Sequence, residues 1–97
     1  MSKAYMIAAY RSVSDPQKLA AYAGLAIPAL TPSGARVLAR GNATVAFEHG
    51  LKERTVVVEY PSLEKAVAAY NSAAYREALK ALGDGAVRDI RIVEGLE

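Results

Sequence analysis

The chain has no cysteine and a single histidine in 97 residues. Without cysteine it has no disulfide staples, no thiolate nucleophile and no Cys-based zinc site, so stability must come from packing and from association between chains. Redox work would need a cofactor, and none is expected. Long apolar runs are also missing. Tyr5 to Tyr10 is apolar at nearly every position, but Arg11 interrupts it, so the N-terminal segment reads as neither signal peptide nor membrane span. That reading gives a cytoplasmic protein with no membrane partner. Charge of one sign is absent too: twelve Lys and Arg against ten Asp and Glu leave a formal +2. The charges alternate along the chain, which is too weak a footprint for nucleic acid. There is no Gly-rich phosphate loop, no Ser/His/Asp spacing and no paired cluster of metal ligands. Phosphoryl transfer, serine hydrolysis and metalloenzyme chemistry therefore have no positive support.

What is present is a globular composition, 53% hydrophobic and 23% charged, at a length that suits one domain, residues 1–97. Tyr5 to Tyr10 predicts a central strand. Asp15 as N-cap and Pro16 at the first helical position start a helix, with Ser14 and Gln17 as an alternative capping box. Its stripe is Leu19, Tyr22, Ala23, Ala26, Ile27 and Leu30. Pro28 predicts a kink or an early end, and Thr31 to Gly34 stop the helix. Ala35 to Arg40 alternates as a strand nearer an edge, Gly41-Asn42 permits a bulge or turn, and Thr44 to Phe47 extends or re-forms the strand. Glu48 to Glu53 is then a hairpin loop. Arg54 to Tyr60 is a strand whose Thr-Val-Val-Val-Glu run can be covered on both faces. Ser62 caps a helix with Leu63, Ala66, Val67 and Tyr70 on one face. A second helix restarts at Ala73, turns Tyr75, Ala78, Leu79 and Leu82 inward, and ends at Gly83 in a left-handed cap. Val87 to Val93 closes the chain as a strand, with Arg88, Ile90 and Ile92 on one face and Asp89 and Arg91 on the other.

The order strand, helix, strand, strand, helix pair, strand gives an α+β fold, a ferredoxin-like βαββαβ sandwich. Helices cover only one face of such a sheet. Apolar alternates on the first strand would then meet water, so a homodimer pairing two sheets back to back is expected.

Several segments together resemble the family called domain of unknown function 1330, within the dimeric α/β-barrel superfamily. They are Tyr5, Asp15-Pro16, Pro28, Gly34 to Gly41, Glu48, Arg54, Val57 to Ala66, Tyr70, Ser72, Tyr75 and Val93-Glu94-Gly95, nearly end to end. The chain departs from the family where Tyr60 replaces a usual Phe, Ala69 a usual Trp, and Ser72-Ala73-Ala74-Tyr75 a Ser-Pro-Glu-Tyr run. The superfamily includes cofactor-free monooxygenases, muconolactone-type isomerases and polyketide cyclases, which place small ligands between sheet and helices. The resemblance implies a pocket in that position.

Candidate site residues follow from the residue types. Glu59, a carboxylate in an apolar strand, needs a cation or a shifted pKa and is the candidate acid or base, with Arg40 steadying an oxyanion; a structural ion pair with Arg36, Arg40 or Arg88 is the alternative. Arg54 suits a carboxylate grip, against surface pairing with Glu48 or Glu53. Tyr5, Tyr22 and Tyr70 are expected to line the pocket, although a tyrosine on an apolar stripe, as Tyr75 also is, packs by default. His49, the only histidine, is a candidate ligand-binding residue and general base for an isomerase or cyclase, against an ordinary solvated histidine in a loop beside Gly50. No metal site is expected. The expected function is binding of a small apolar or carboxylate-bearing molecule, with cofactor-independent isomerase or cyclase chemistry. The alternatives are a non-catalytic structural or binding dimer and an antibiotic-type monooxygenase.

Overall fold

The structure, a computed structural model, describes residues 2–96. The strands are β1 (Ala4–Val13), β2 (Arg36–Asn42), β3 (Arg54–Tyr60) and β4 (Ala86–Glu94). The helices are α1 (Pro16–Leu30), α2 (Leu63–Tyr70) and α3 (Ala73–Leu82), and a 3-10 turn at Thr31–Ser33 follows α1. The strands form one sheet in the order β2-β3-β1-β4 with every neighbouring pair antiparallel. Each βαβ unit is thus split by a strand from the other, which is the ferredoxin-like arrangement.

The helix starts are set by side chains that accept orphan backbone donors. Asp15 accepts from the amides of Gln17 and Lys18 at 3.0 and 3.1 Å. Ser62 and Ser72 accept from Lys65 and Tyr75, each at 3.2 Å. The alternative capping box does not form, because the Ser14 hydroxyl donates to the Asp84 carbonyl instead.

Strand parity decides which residues meet the helices. On β1 the buried set is Ala4, Met6, Ala8 and Tyr10, and on β3 the residues of that phase are Arg54, Val56, Val58 and Tyr60. Of these, Ala4, Met6, Val58 and Tyr60, with Val56 beside them, pack with Tyr22, Ala26 and Leu30 of α1, Ala66 and Ala69 of α2, and Tyr75, Ala78 and Leu82 of α3. Full burial of a Met, Val or Leu side chain contributes about 1.5–3 kcal/mol, so this sandwich is the principal source of stability. The opposite phase, Tyr5, Ile7, Ala9, Thr55, Val57 and Glu59, lies on the face that carries no helix and stays half-buried.

Four local expectations are corrected. Of the kink or early end expected at Pro28, the early end does not occur, and α1 runs on to Leu30. Pro28 and Gly24 are both exposed, so water can satisfy the Gly24 carbonyl that loses its partner. Thr44 to Phe47 forms no strand, and β2 stops at Asn42. The register break falls between Val37 and Ala39, not at Gly41-Asn42, which pair with Thr55 and Arg54. Gly83 has φ 51 and ψ −124, outside the left-handed helical region but still open only to glycine. In addition β1 continues beyond Tyr10 to Val13 through an irregularity at Arg11.

Candidate functional site

Where α1 crosses β1 and β3, the packing leaves a cleft of about 40 Å3. Its apolar wall comes from Met6 and Ala8 on β1, Ala23, Ala26, Ile27 and Leu30 on α1, and Val56 and Val58 on β3. Small side chains on α1 leave the gap, since Ala23 and Ala26 stand where larger residues would fill it. Tyr10, Tyr22, Arg40 and Arg54 complete the lining. Arg40 is opposite Val56 in the β2–β3 register, so the bulge after Val37 places it on the helix side of the sheet.

The polar end is cationic. The Arg54 guanidinium lies 5.7 Å from the centre of the Tyr10 ring and that of Arg88 lies 5.6 Å from the same ring. Arg88 is also 4.9 Å over the Tyr22 ring, a separation at which a cation is drawn to the ring face. The Nε of Arg54 is buried and has no hydrogen-bond partner. Surface pairing of Arg54 with Glu48 or Glu53 does not occur among the described residues.

Arg88 Nη1 donates to the Tyr22 hydroxyl at 3.0 Å, and that oxygen lies 2.6 Å from the hydroxyl of Tyr75. The two rings meet edge to face, 6.0 Å apart. Burial pushes the Tyr75 phenol well above its ordinary 10.0, and the neighbouring Tyr22 adds to the rise. Burial acts to lower the Arg88 guanidinium, but the oxygens of Tyr22 and Tyr75 outweigh it and leave it above its ordinary range, fully charged. Tyr60, 1% exposed, has a hydroxyl with no partner. Burial, and then Tyr22, push its phenol up to about 12.

Of the residues expected from sequence, Tyr22, Arg40 and Arg54 come together here. Tyr5 and Glu59 do not. They face each other across β1 and β3 on the helix-free side of the sheet. Glu59 therefore cannot share a cleft with Arg40; it pairs with Lys3 at 3.5 Å and stands opposite Arg36. Tyr5 lies against Gly95, where an added Cβ would come within 2.8 Å of its ring. Tyr70 lines a separate hollow with Val67, Asn71, Ile90 and Ile92, its ring 5.1 Å from that of Tyr75. His49 is exposed in the β2–β3 loop and borders a depression with Arg11, Leu51 and Asp89. Among the described residues no group of metal-ligating side chains forms, and no helix is long and apolar enough to cross a membrane. The sequence reading missed Tyr10 and Arg88 as cleft-end residues. The signal was phase: each keeps step with inward apolar neighbours, Tyr10 with Met6 and Ala8, and Arg88 with Ile90 and Ile92.

An antiparallel four-stranded sheet with three helices on one face, and a cleft under the first of them, defines a ferredoxin-like α+β domain. The chain belongs to the family described as Domain of unknown function (DUF1330), whose profile matches residues 3–96. A protein of unknown function from Rhodopseudomonas palustris is similar in structure, with TM-score 0.76 and 20% identity, over 99% of this chain and 84% of that one. SnoaB, a cofactor-independent oxygenase from Streptomyces nogalater, matches with TM-score 0.68 and 6% identity, over 100% and 96% of the two chains. A nipsnap family protein with unknown function from Agrobacterium tumefaciens matches with TM-score 0.63 and 11% identity, over 97% and 87%. At these identities the likeness is one of fold. No protein with a curated description matches the chain in sequence.

Proposed function

We propose that this chain is one half of a cytoplasmic homodimer and binds a small, largely apolar molecule in the cleft between α1 and the β1–β3 pair. The observation that carries the reading is the cleft itself, where apolar side chains from three elements meet two arginines that no carboxylate neutralises among the described residues. A space of about 40 Å3 exceeds the 10–15 Å3 that one water needs and falls well short of the roughly 150 Å3 that accepts benzene. The ligand is accordingly a short one, or one whose tail runs out over the exposed Ile27.

The lining contains no carboxylate and no imidazole. Isomerase or cyclase chemistry here would have to use a phenol, Tyr22 or Tyr10, as its proton carrier, so binding is the primary role. The oxygenase alternative draws on the fold of SnoaB and on no side chain of this cleft.

A thermal-shift screen of short apolar acids, ketones and alcohols tests the reading. A compound present at a hundred times its dissociation constant adds about 2.7 kcal/mol of stability. Ala23→Leu, which fills the cleft from its partly exposed rim, is expected to abolish that shift. A shift of equal size in the variant would place the ligand elsewhere.

A further inference from the structure

We infer that the molecule held in this cleft is a monoanionic carboxylate with a short apolar tail, its head group taken by Arg54 and Arg40. The inference deepens the binding reading above and rests on it.

The distribution of charge carries it. The acids with ion-pair partners are engaged elsewhere: Glu59 with Lys3, Asp89 with Arg11 and Arg91, Asp84 with Lys18, and Glu77 with Lys80. Around Tyr10 the balance is the reverse. Arg54 and Arg88 share one aromatic ring, Arg40 lines the same cleft as Arg54, and no acidic side chain lines it. Arg88 has given a donor to Tyr22, whereas the buried Nε of Arg54 has no acceptor. A buried donor left unmade is costly, more so on a charged group, and an arriving oxygen relieves that cost. A carboxylate fits the guanidinium edge through two parallel hydrogen bonds, while the repulsion among the cations falls.

One observation favours a monoanion over a phosphate: the space is about 40 Å3 with mostly apolar walls, which suits a small planar head group.

The test is a matched pair of probes small enough for the cleft, acetate and acetamide, titrated calorimetrically at neutral pH. The acid is expected to bind at least tenfold more tightly than the amide. Arg54→Met should reduce that preference below threefold with amide affinity unchanged. Arg40→Met, on an exposed edge strand, should reduce it in a background where folding is not at issue. Equal affinities for acid and amide would overturn the inference and leave the cleft reading intact. So would a preference that survives both variants. Failure of both probes to bind would remove the cleft reading and the inference with it.

Discussion

The hydroxyl of Tyr22 bonds the part-buried Arg88 at 3.0 Å and the buried Tyr75 at 2.6 Å. Tyr22→Phe removes both bonds, and leaving a buried polar group unpaired costs on the order of 1–3 kcal/mol. Tyr75→Phe removes one bond and leaves Arg88 satisfied, a loss of about 1 kcal/mol. Urea denaturation should therefore rank Tyr22→Phe below Tyr75→Phe, and the opposite order would contradict the network. Tyr60 is the reverse case, because its buried hydroxyl has no partner to lose. Tyr60→Phe, the residue usual in the family resemblance, is expected to stabilise by up to about 1 kcal/mol. The same position sets an alkaline limit. Below pH 10 the Tyr60 phenol is neutral in both states and adds no slope. Above it the unfolded chain gives up the proton while the folded chain holds it to about 12, so the unfolded state binds fewer protons and stability falls as pH rises. The loss approaches about 1.4 kcal/mol per pH unit between those limits, and Tyr75 acts in the same direction. Tyr60→Phe should shallow that slope in denaturation curves measured from pH 9 to 12; an unchanged slope would exclude Tyr60 as its source. Some of this was readable from residue types, since Tyr22 and Arg54 keep phase with buried apolar neighbours. Glu59 was not readable. In Arg54 to Tyr60 both parities are apolar, Val56 and Val58 against Val57, so the run itself does not say which faces the helices.

Among the elements, the boundaries that side chains enforce were legible and those set by packing were not. Asp15, Ser62 and Ser72 announce their helices because short acceptors in extended backbone cap orphan donors. The reach of α1 through Pro28 could not be read, because it depends on the lost bond facing solvent. Nor could the end of β2, since Thr44 to Phe47 has strand-forming composition but no neighbouring strand to pair with it. Gly34 is the turn position that composition and geometry both require. It follows the 3-10 turn at φ 81, and a Cβ there would meet the Pro61 ring at 2.8 Å. Gly34→Ala is expected to cost about 2 kcal/mol or more, from the left-handed backbone together with a rigid contact. A calorimetric melting temperature within a degree of wild type would show that the turn relaxes instead.

For the whole molecule, the dominant fact is a slab, 38 × 33 × 15 Å, with helices on one side only. Its bare face carries Tyr5, Ile7, Ala9 and Val57 half-buried and Val93 55% exposed. Four strands about 4.8 Å apart, of ten, seven, seven and nine residues at about 3.3 Å each, span roughly 19 by 27 Å on average. That footprint is on the order of 500 Å2, against about 800 Å2 per partner in a standard stable interface. The β2–β3 loop can supply the difference, because it holds Val45, Phe47 and Leu51 at 62%, 80% and 51% exposure. Phe47→Ser should accordingly weaken self-association several-fold in dilution experiments without altering the fold by circular dichroism, and an unchanged dissociation constant would place the loop outside the interface. Whether a second copy covers that face is measured most directly by sedimentation equilibrium at micromolar concentration. The expected result is the mass of two 10.3 kDa chains, reduced to one by Ile7→Glu at the centre of the face. A wild-type chain that sediments as a single 10.3 kDa subunit would contradict it.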